Sequence, residues 1–131
     1  MKLTVVGCSP AWPNPGGAQS GYLVEGPGRL LLDCGPGVLA RLREREPWPR
    51  VDAIAITHFH LDHWGDLVPW VWGSMYGPGE QAERPELHVP PNGRMLLEEL
   101  GVTSAPATCS SARFGCRSSA TASRSRPPGS S

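Results

Sequence analysis

Lysine is almost absent from this sequence: Lys2 stands alone against eleven arginines, and no acidic residue follows Glu99. Residues 1 to 100 carry eight basic and twelve acidic side chains, a net charge of −4. Residues 101 to 131 carry Arg113, Arg117, Arg124 and Arg126 and no acid, net +4. The zero overall charge therefore hides a boundary. Long apolar runs are also missing. Nothing approaches the roughly 18 consecutive apolar residues that a membrane span requires, and the apolar start Leu3–Val6 is too short for a signal peptide. The expected location is the cytoplasm, with no membrane partner. The four cysteines, Cys8, Cys34, Cys109 and Cys116, lack the close paired spacing of a structural zinc site and sit in a chain with no export signal. They read as reduced thiols.

A chain of 131 residues with 39% apolar residues allows one globular domain, rich in turns because Gly 16 and Pro 15 are high. The pattern predicts a strand over 3–6, a Pro- and Gly-rich loop over 8–20, and a hairpin of strands 21–25 and 29–33 around Gly26-Pro27-Gly28. It then predicts an amphipathic helix over 38–46 stopped by Pro47, and a buried strand over 51–57. A helix over 64–76 follows, with Pro69 in its first turn, then a short strand at 87–89 and a helix over 93–100 closed by Gly101. The arginine- and glutamate-rich run 41–46 reads as a solvated face. Trp64, Trp70 and Trp72 at helical spacing read as core, and Asp66 as a charge at a helix N-terminus. His88, alone on a strand, reads as structural.

What the sequence has in concentration is histidine. His58, His60 and His63 fall within six positions, with Asp62 between the last two, directly after the apolar run Ala53–Ile56. Imidazole nitrogen and carboxylate oxygen are ligands that zinc and its first-row neighbours accept. In extended backbone, residues two apart point the same way, so His58 and His60 can reach one ion. Asp62 and His63, where the chain turns, can reach a second. Asp33 ends an apolar strand before Cys34-Gly35-Pro36-Gly37, and on pattern alone it reads as a cap on the following helix.

The run His58-x-His60-x-Asp62-His63 after a buried strand, with Asp33 upstream, resembles the metal-binding signature of the metallo-β-lactamase superfamily. The form Thr-His-x-His-x-Asp-His-Trp-Gly-Asp-Leu is more similar to its ribonuclease Z and phosphodiesterase-like branch. The resemblance implies an α/β fold, the αββα sandwich, of which residues 1–101 would supply about the first half. It implies a metal-dependent hydrolase using a metal-activated water on a small-molecule or RNA phosphodiester. Zn2+ is the implied cofactor, two ions in the complete fold, with Mn2+ or iron as alternatives. His58, His60, Asp62 and His63 would be its ligands, and Asp62 would also orient the nucleophilic water and accept its proton. Asp33 would act from behind the ligands, ordering the loop through hydrogen bonds. The superfamily's later ligands have no counterpart after His63, so the chain is expected to have reduced or no activity. The alternative is a non-catalytic metal-binding or interaction fragment, completed by a partner or in a homodimer.

Residues 102–131 hold nine serines and four arginines with no apolar period, and read as a disordered tail that cannot bury enough surface to order itself. Two other readings are a basic nucleic-acid-binding arm and, beyond about Ser104, translation in a shifted frame of a GC-rich gene. Resequencing the locus tests the last of these: a clean frame, with no homologous frame downstream, would exclude it.

Overall fold

The computed structural model describes residues 1–104 and 115–118. Six strands form one sheet in sequence order: β1 (Lys2–Gly7), β2 (Gly21–Glu25), β3 (Arg29–Leu32), β4 (Ala53–Ala55), β5 (Glu86–Val89) and β6 (Gly115–Ser118). The first three are antiparallel, with the β2–β3 hairpin pairing Glu25 with Arg29 across Gly26-Pro27-Gly28. From β3 onward every pairing is parallel. Parallel neighbours need crossovers. These contain α1 (Val38–Arg43), then α2 (Leu61–Trp64) with α3 (Leu67–Tyr76), then α4 (Gly93–Ser104).

The register divides the strands into two faces. Leu23, Leu31, Ile54 and Leu87 point one way and are at most 2% exposed, packed in one cluster with Val38, Leu39 and Leu42 of α1 and Leu67 and Trp70 of α3. Right-handed crossovers that advance in one direction across a sheet set their helices on the same face. That is why α1 and α3 share one side, and why the sheet's other side has no helix from these connections.

Trp70 anchors the helical layer. It is 1% exposed and meets Trp48 edge-on at 5.6 Å between ring centroids. Truncation to alanine removes a fully buried indole and leaves a cavity under α3. Trp70→Ala is expected to cost about 3–5 kcal/mol, read as a lowered midpoint in urea unfolding followed by far-UV circular dichroism. An unchanged midpoint would mean that this packing does not hold α3 to the sheet.

Several boundaries differ from those read in the sequence. Helix α1 stops at Arg43, with the Glu44 and Arg45 N–H groups turning back to the Arg41 and Leu42 carbonyls in tighter bonds. The helix expected over 64–76 begins at Leu67, after a turn at Gly65-Asp66 that separates it from the single-turn helix α2. Helix α4 runs through Gly101 to Ser104. Of the three tryptophans expected in the core only Trp70 is fully buried. Trp64 is partly buried, stacked on Phe59 at 5.0 Å, and Trp72 is 41% exposed beside Tyr76. Cys8 and Cys34 are free thiols. Of residues 102–131, read from sequence as a disordered tail, the structure describes the end of α4 and strand β6. The remainder of that stretch lies outside the described residues.

Candidate metal centre

The histidine-rich loop leaves the carboxyl end of β4, where a rigid strand fixes one end of an irregular segment. Ile56 still belongs to the core, and its N–H donates to the His88 carbonyl at 2.9 Å. From Thr57 the chain leaves the sheet. His60 is extended (φ −81°, ψ 141°) and begins α2, the single turn that carries Asp62 and His63. His58 and His60 have exposed side chains whose rings meet edge-on with centroids 4.7 Å apart. The His63 ring lies 3.9 Å from that of His58, centroid to centroid. The three imidazoles expected to act together are therefore gathered, and Asp62 is with them, its Oδ2 at 3.2 Å from His63 Nε2.

Asp33 lies behind this group and organises it. It is 3% exposed and takes φ 59°, a left-handed conformation that asparagine and aspartate tolerate better than other residues with a side chain. One oxygen, Oδ1, accepts from the Thr57 N–H at 2.8 Å and from Thr57 Oγ1 at 2.9 Å. The other, Oδ2, accepts from Ser20 Oγ at 2.9 Å and meets His63 Nδ1 at 2.7 Å. Burial by itself pushes this carboxyl up. The hydrogen bonds from His63, the Thr57 N–H, Ser20 and the Thr57 hydroxyl outweigh that effect, and its pKa lies below the ordinary 3.8. A carboxylate on Nδ1 leaves Nε2 as the ring nitrogen that can face a metal, the arrangement in which carboxylates support metal-binding histidines.

The helix-capping role considered for Asp33 belongs to a different residue. Asp66 Oδ2 accepts from the Leu39 N–H at 2.8 Å, in the first turn of α1, while Asp66 makes no side-chain cap on its own helix α3. Asp66 stands at the N-cap position of α3, as a helix N-terminal charge should, but its carboxylate bonds to a helix 27 residues earlier. Burial pushes its pKa up, and hydrogen bonds from the Leu39 and Gly37 N–H groups offset this only in part. Two backbone bonds complete the frame: Cys34 N–H to the His63 carbonyl at 2.7 Å, and Ser20 N–H to the Asp62 carbonyl at 3.2 Å. The Cys34 thiol, buried between these groups, is pushed well up, by burial first and then by Asp66 and Asp33, which makes it an unreactive thiol.

Thr57 and Asp66 stand in the motif quoted from the sequence, but neither their bonds to Asp33 and to Leu39 nor any part for Ser20 was read there, because those partners are 24, 27 and 13 residues away. His88 lies on β5, half exposed, with Nε2 3.7 Å from Glu86 Oε1.

The donor types suit a divalent first-row cation: neutral imidazoles and a carboxylate, one imidazole already oriented. The positions are less complete. Among the described residues, no group of three or more His, Cys, Asp or Glu side chains is disposed to hold an ion together. The residues fit a metal in chemistry and in loop placement, and need side-chain adjustment, or further donors, to close around it.

Residues 14–71 match the metallo-beta-lactamase superfamily. A probable metallo-hydrolase of Bacillus subtilis, YhfI, is 41% identical over 85 residues, which span 61% of this chain and 35% of that protein. Ribonuclease Z of Salinibacter ruber is 37% identical over 110 residues, 80% of this chain and 34% of that one. The crystal structure of the metallo-beta-lactamase fold protein YhfI matches 88% of this chain and 44% of its own, with a TM-score of 0.66 at 26% identity. Human tRNase Z, short form, matches 90% of this chain and 45% of its own, with a TM-score of 0.69. At 21% identity that likeness is one of fold alone. Residues 14–71 are thus similar to the metallo-β-lactamase superfamily, the α/β fold is that of these solved structures, and the chain spans less than half the length of these relatives.

Proposed function

We propose that this chain carries the front half of a metal-dependent phosphodiesterase of the ribonuclease Z type, with His58, His60, Asp62 and His63 as its metal ligands. The observation that carries the reading is the contact of His63 Nδ1 with the buried Asp33 carboxylate at 2.7 Å, which leaves the ring's other nitrogen, Nε2, beside Asp62 Oδ2 at 3.2 Å. Zinc is the cation of choice for such donors, with manganese or iron as alternatives, and the complete fold would hold two ions. A bound divalent cation supplies Lewis acidity, which makes a water nucleophilic near neutral pH.

The chain's own residues do the rest. Asp33 keeps the His63 proton on Nδ1. Thr57 Oγ1, 3.1 Å from His58 Nδ1, biases that ring in the same sense, so both present Nε2. Asp62 combines a metal-facing carboxylate with the capacity to accept a proton from the attacking water at Oδ2. An RNA substrate is supported by the likeness to proteins named ribonuclease Z, and a small phosphodiester suits the same chemistry. Among the described residues no helix is long and apolar enough to cross a membrane, in keeping with the cytoplasmic location we propose.

Hydrolysis of bis(p-nitrophenyl) phosphate by the purified chain with added Zn2+ or Mn2+ tests this reading. Slow turnover, abolished by chelator and lowered at least about 100-fold in His58→Ala and Asp62→Ala, is expected. Turnover that survives either substitution would reject these residues as the site. A second reading rests on the incomplete donor set: a metal-binding fragment that acts only when a partner completes the fold. Binding without turnover would favour it.

A further inference from the structure

The register brings three distant residues to one end of the sheet. Strand β2 pairs with β3 through Tyr22 and Leu32, and β3 with β4 through Leu32 and Ala55. Ser20, just before β2, therefore meets Asp33 and Thr57, which follow β3 and β4. Ser20 is 8% exposed, and each of its polar groups has a partner there. Its N–H donates to the Asp62 carbonyl at 3.2 Å, and its carbonyl accepts from the Gly35 N–H at 2.8 Å. A carboxylate can only accept, so Ser20 Oγ donates to Asp33 Oδ2 at 2.9 Å, the same oxygen that His63 Nδ1 meets at 2.7 Å. Thr57 holds the other side. Its N–H is on Oδ1 at 2.8 Å, and its hydroxyl, with one proton to give, lies 2.9 and 3.0 Å from the two oxygens.

An aspartate carboxylate anchored at one oxygen turns easily, because the torsion at its terminal bond is broad. A donor from a second segment, committed to Oδ2, removes that freedom. We propose that Ser20 is a positioning residue of the metal centre: its hydroxyl fixes the Asp33 carboxylate in the rotation that aims Oδ2 at His63 Nδ1, and so sets where His63 Nε2 points. The proposal rests on the reading of His63 as a ligand. The Ser20 bond also helps to keep the buried Asp33 ionised, the form that accepts from the ring N–H. Ser20 thus acts on two neighbouring residues at once, on the His63 ring through Asp33 and on Asp62 through the backbone. Alanine at this position removes the first action and keeps the second.

Nuclear magnetic resonance of the metal-free full chain, carrying isotope-labelled histidine, tests this. The natural chain is expected to show a sharp, far-downfield Nδ1–H signal for His63. In Ser20→Ala that signal should be lost to exchange or moved, with the far-UV circular dichroism unchanged, and Ser20→Thr, which restores a hydroxyl, should bring it back. Ser9→Ala removes a hydroxyl from the same loop that accepts only from the Asn14 N–H, and should leave the signal as it is. An unaltered His63 signal in Ser20→Ala, its absence in a folded Ser20→Thr, or its equal loss in Ser9→Ala would overturn the proposal. Should the alanine variant unfold, Ser20→Cys, close in size and a much weaker donor, carries the same test. A Co2+ titration then separates the two ideas: Ser20→Ala should bind about tenfold more weakly, whereas a natural chain that binds no Co2+ yet keeps the His63 signal would reject the metal reading alone.

Discussion

Asp33→Ala is expected to unfold at markedly lower urea concentration and to weaken divalent-metal binding together. One buried carboxylate satisfies the Thr57 N–H, Thr57 Oγ1, Ser20 Oγ and His63 Nδ1. Alanine leaves those groups without their acceptor, at about 1–3 kcal/mol for each that water cannot reach, and places an ordinary residue at φ 59°. The total loss should be about 3–5 kcal/mol. Removing a carboxylate behind a metal-binding histidine typically lowers metal affinity 10- to 100-fold, and that factor is expected here. Asp33→Asn keeps the shape and tolerates the left-handed backbone, so it should lose less stability than alanine while still disturbing the His63 ring. Equal stability of Asp33→Ala and the natural chain would show that the network carries no weight. The same carboxyl sets an acid limit. Its folded pKa lies below the ordinary 3.8, so its contribution is complete above that pH and is lost as pH falls through the lower folded value. Asp66, raised by burial, acts in the opposite direction: from 3.8 up to its raised value, increasing pH removes stability. In urea titrations at a series of pH values, Asp33→Ala should flatten the loss of stability below about pH 4.

Gly35→Ala should be nearly as damaging, for a steric reason. A Cβ at position 35 would stand 2.0 Å from the Asp62 carbonyl oxygen and 2.9 Å from the Ser20 nitrogen. Both are backbone atoms, and they form the bond that ties Ser20 to the metal loop. Neither can move without shifting Asp62 itself. Overpacking of this kind costs about 1–3 kcal/mol, and here the displaced element holds a ligand and the proposed proton acceptor. A Co2+ titration should show at least a tenfold loss of affinity alongside the lowered melting temperature. Gly26→Ala, in the hairpin turn with nothing within 4 Å of its would-be Cβ, serves as the control and should be silent in both assays. Unaltered metal binding in Gly35→Ala would detach this glycine from the site.

The local elements were largely legible in the sequence, because their signals are local. The hairpin around Gly26-Pro27-Gly28 and the histidine run after an apolar strand each follow from residues within a few positions of one another. What was hidden depends on contacts between distant segments. Nothing near Asp66 in the chain indicates that it closes the first turn of a helix at Leu39. Nothing near Ser20 indicates that it bonds both Asp33 and the Asp62 backbone. The single turn of α2 was read as a plain turn because four residues are too few to show a helical period. Trp72 was assigned to the core from spacing alone, and only the packing of α3 against Trp48 and the sheet decides which aromatic faces inward.

The central claim is that the His58–His63 loop binds a divalent cation, and direct titration with Co2+ tests it. Cobalt in a site of nitrogen and oxygen donors gives a visible spectrum that reports both stoichiometry and coordination. The account predicts saturable binding of about one ion or more per chain, displaced by Zn2+ and abolished in His58→Ala and His60→Ala. A chain that shows no saturable spectrum, or variants that bind as the natural chain does, would contradict it.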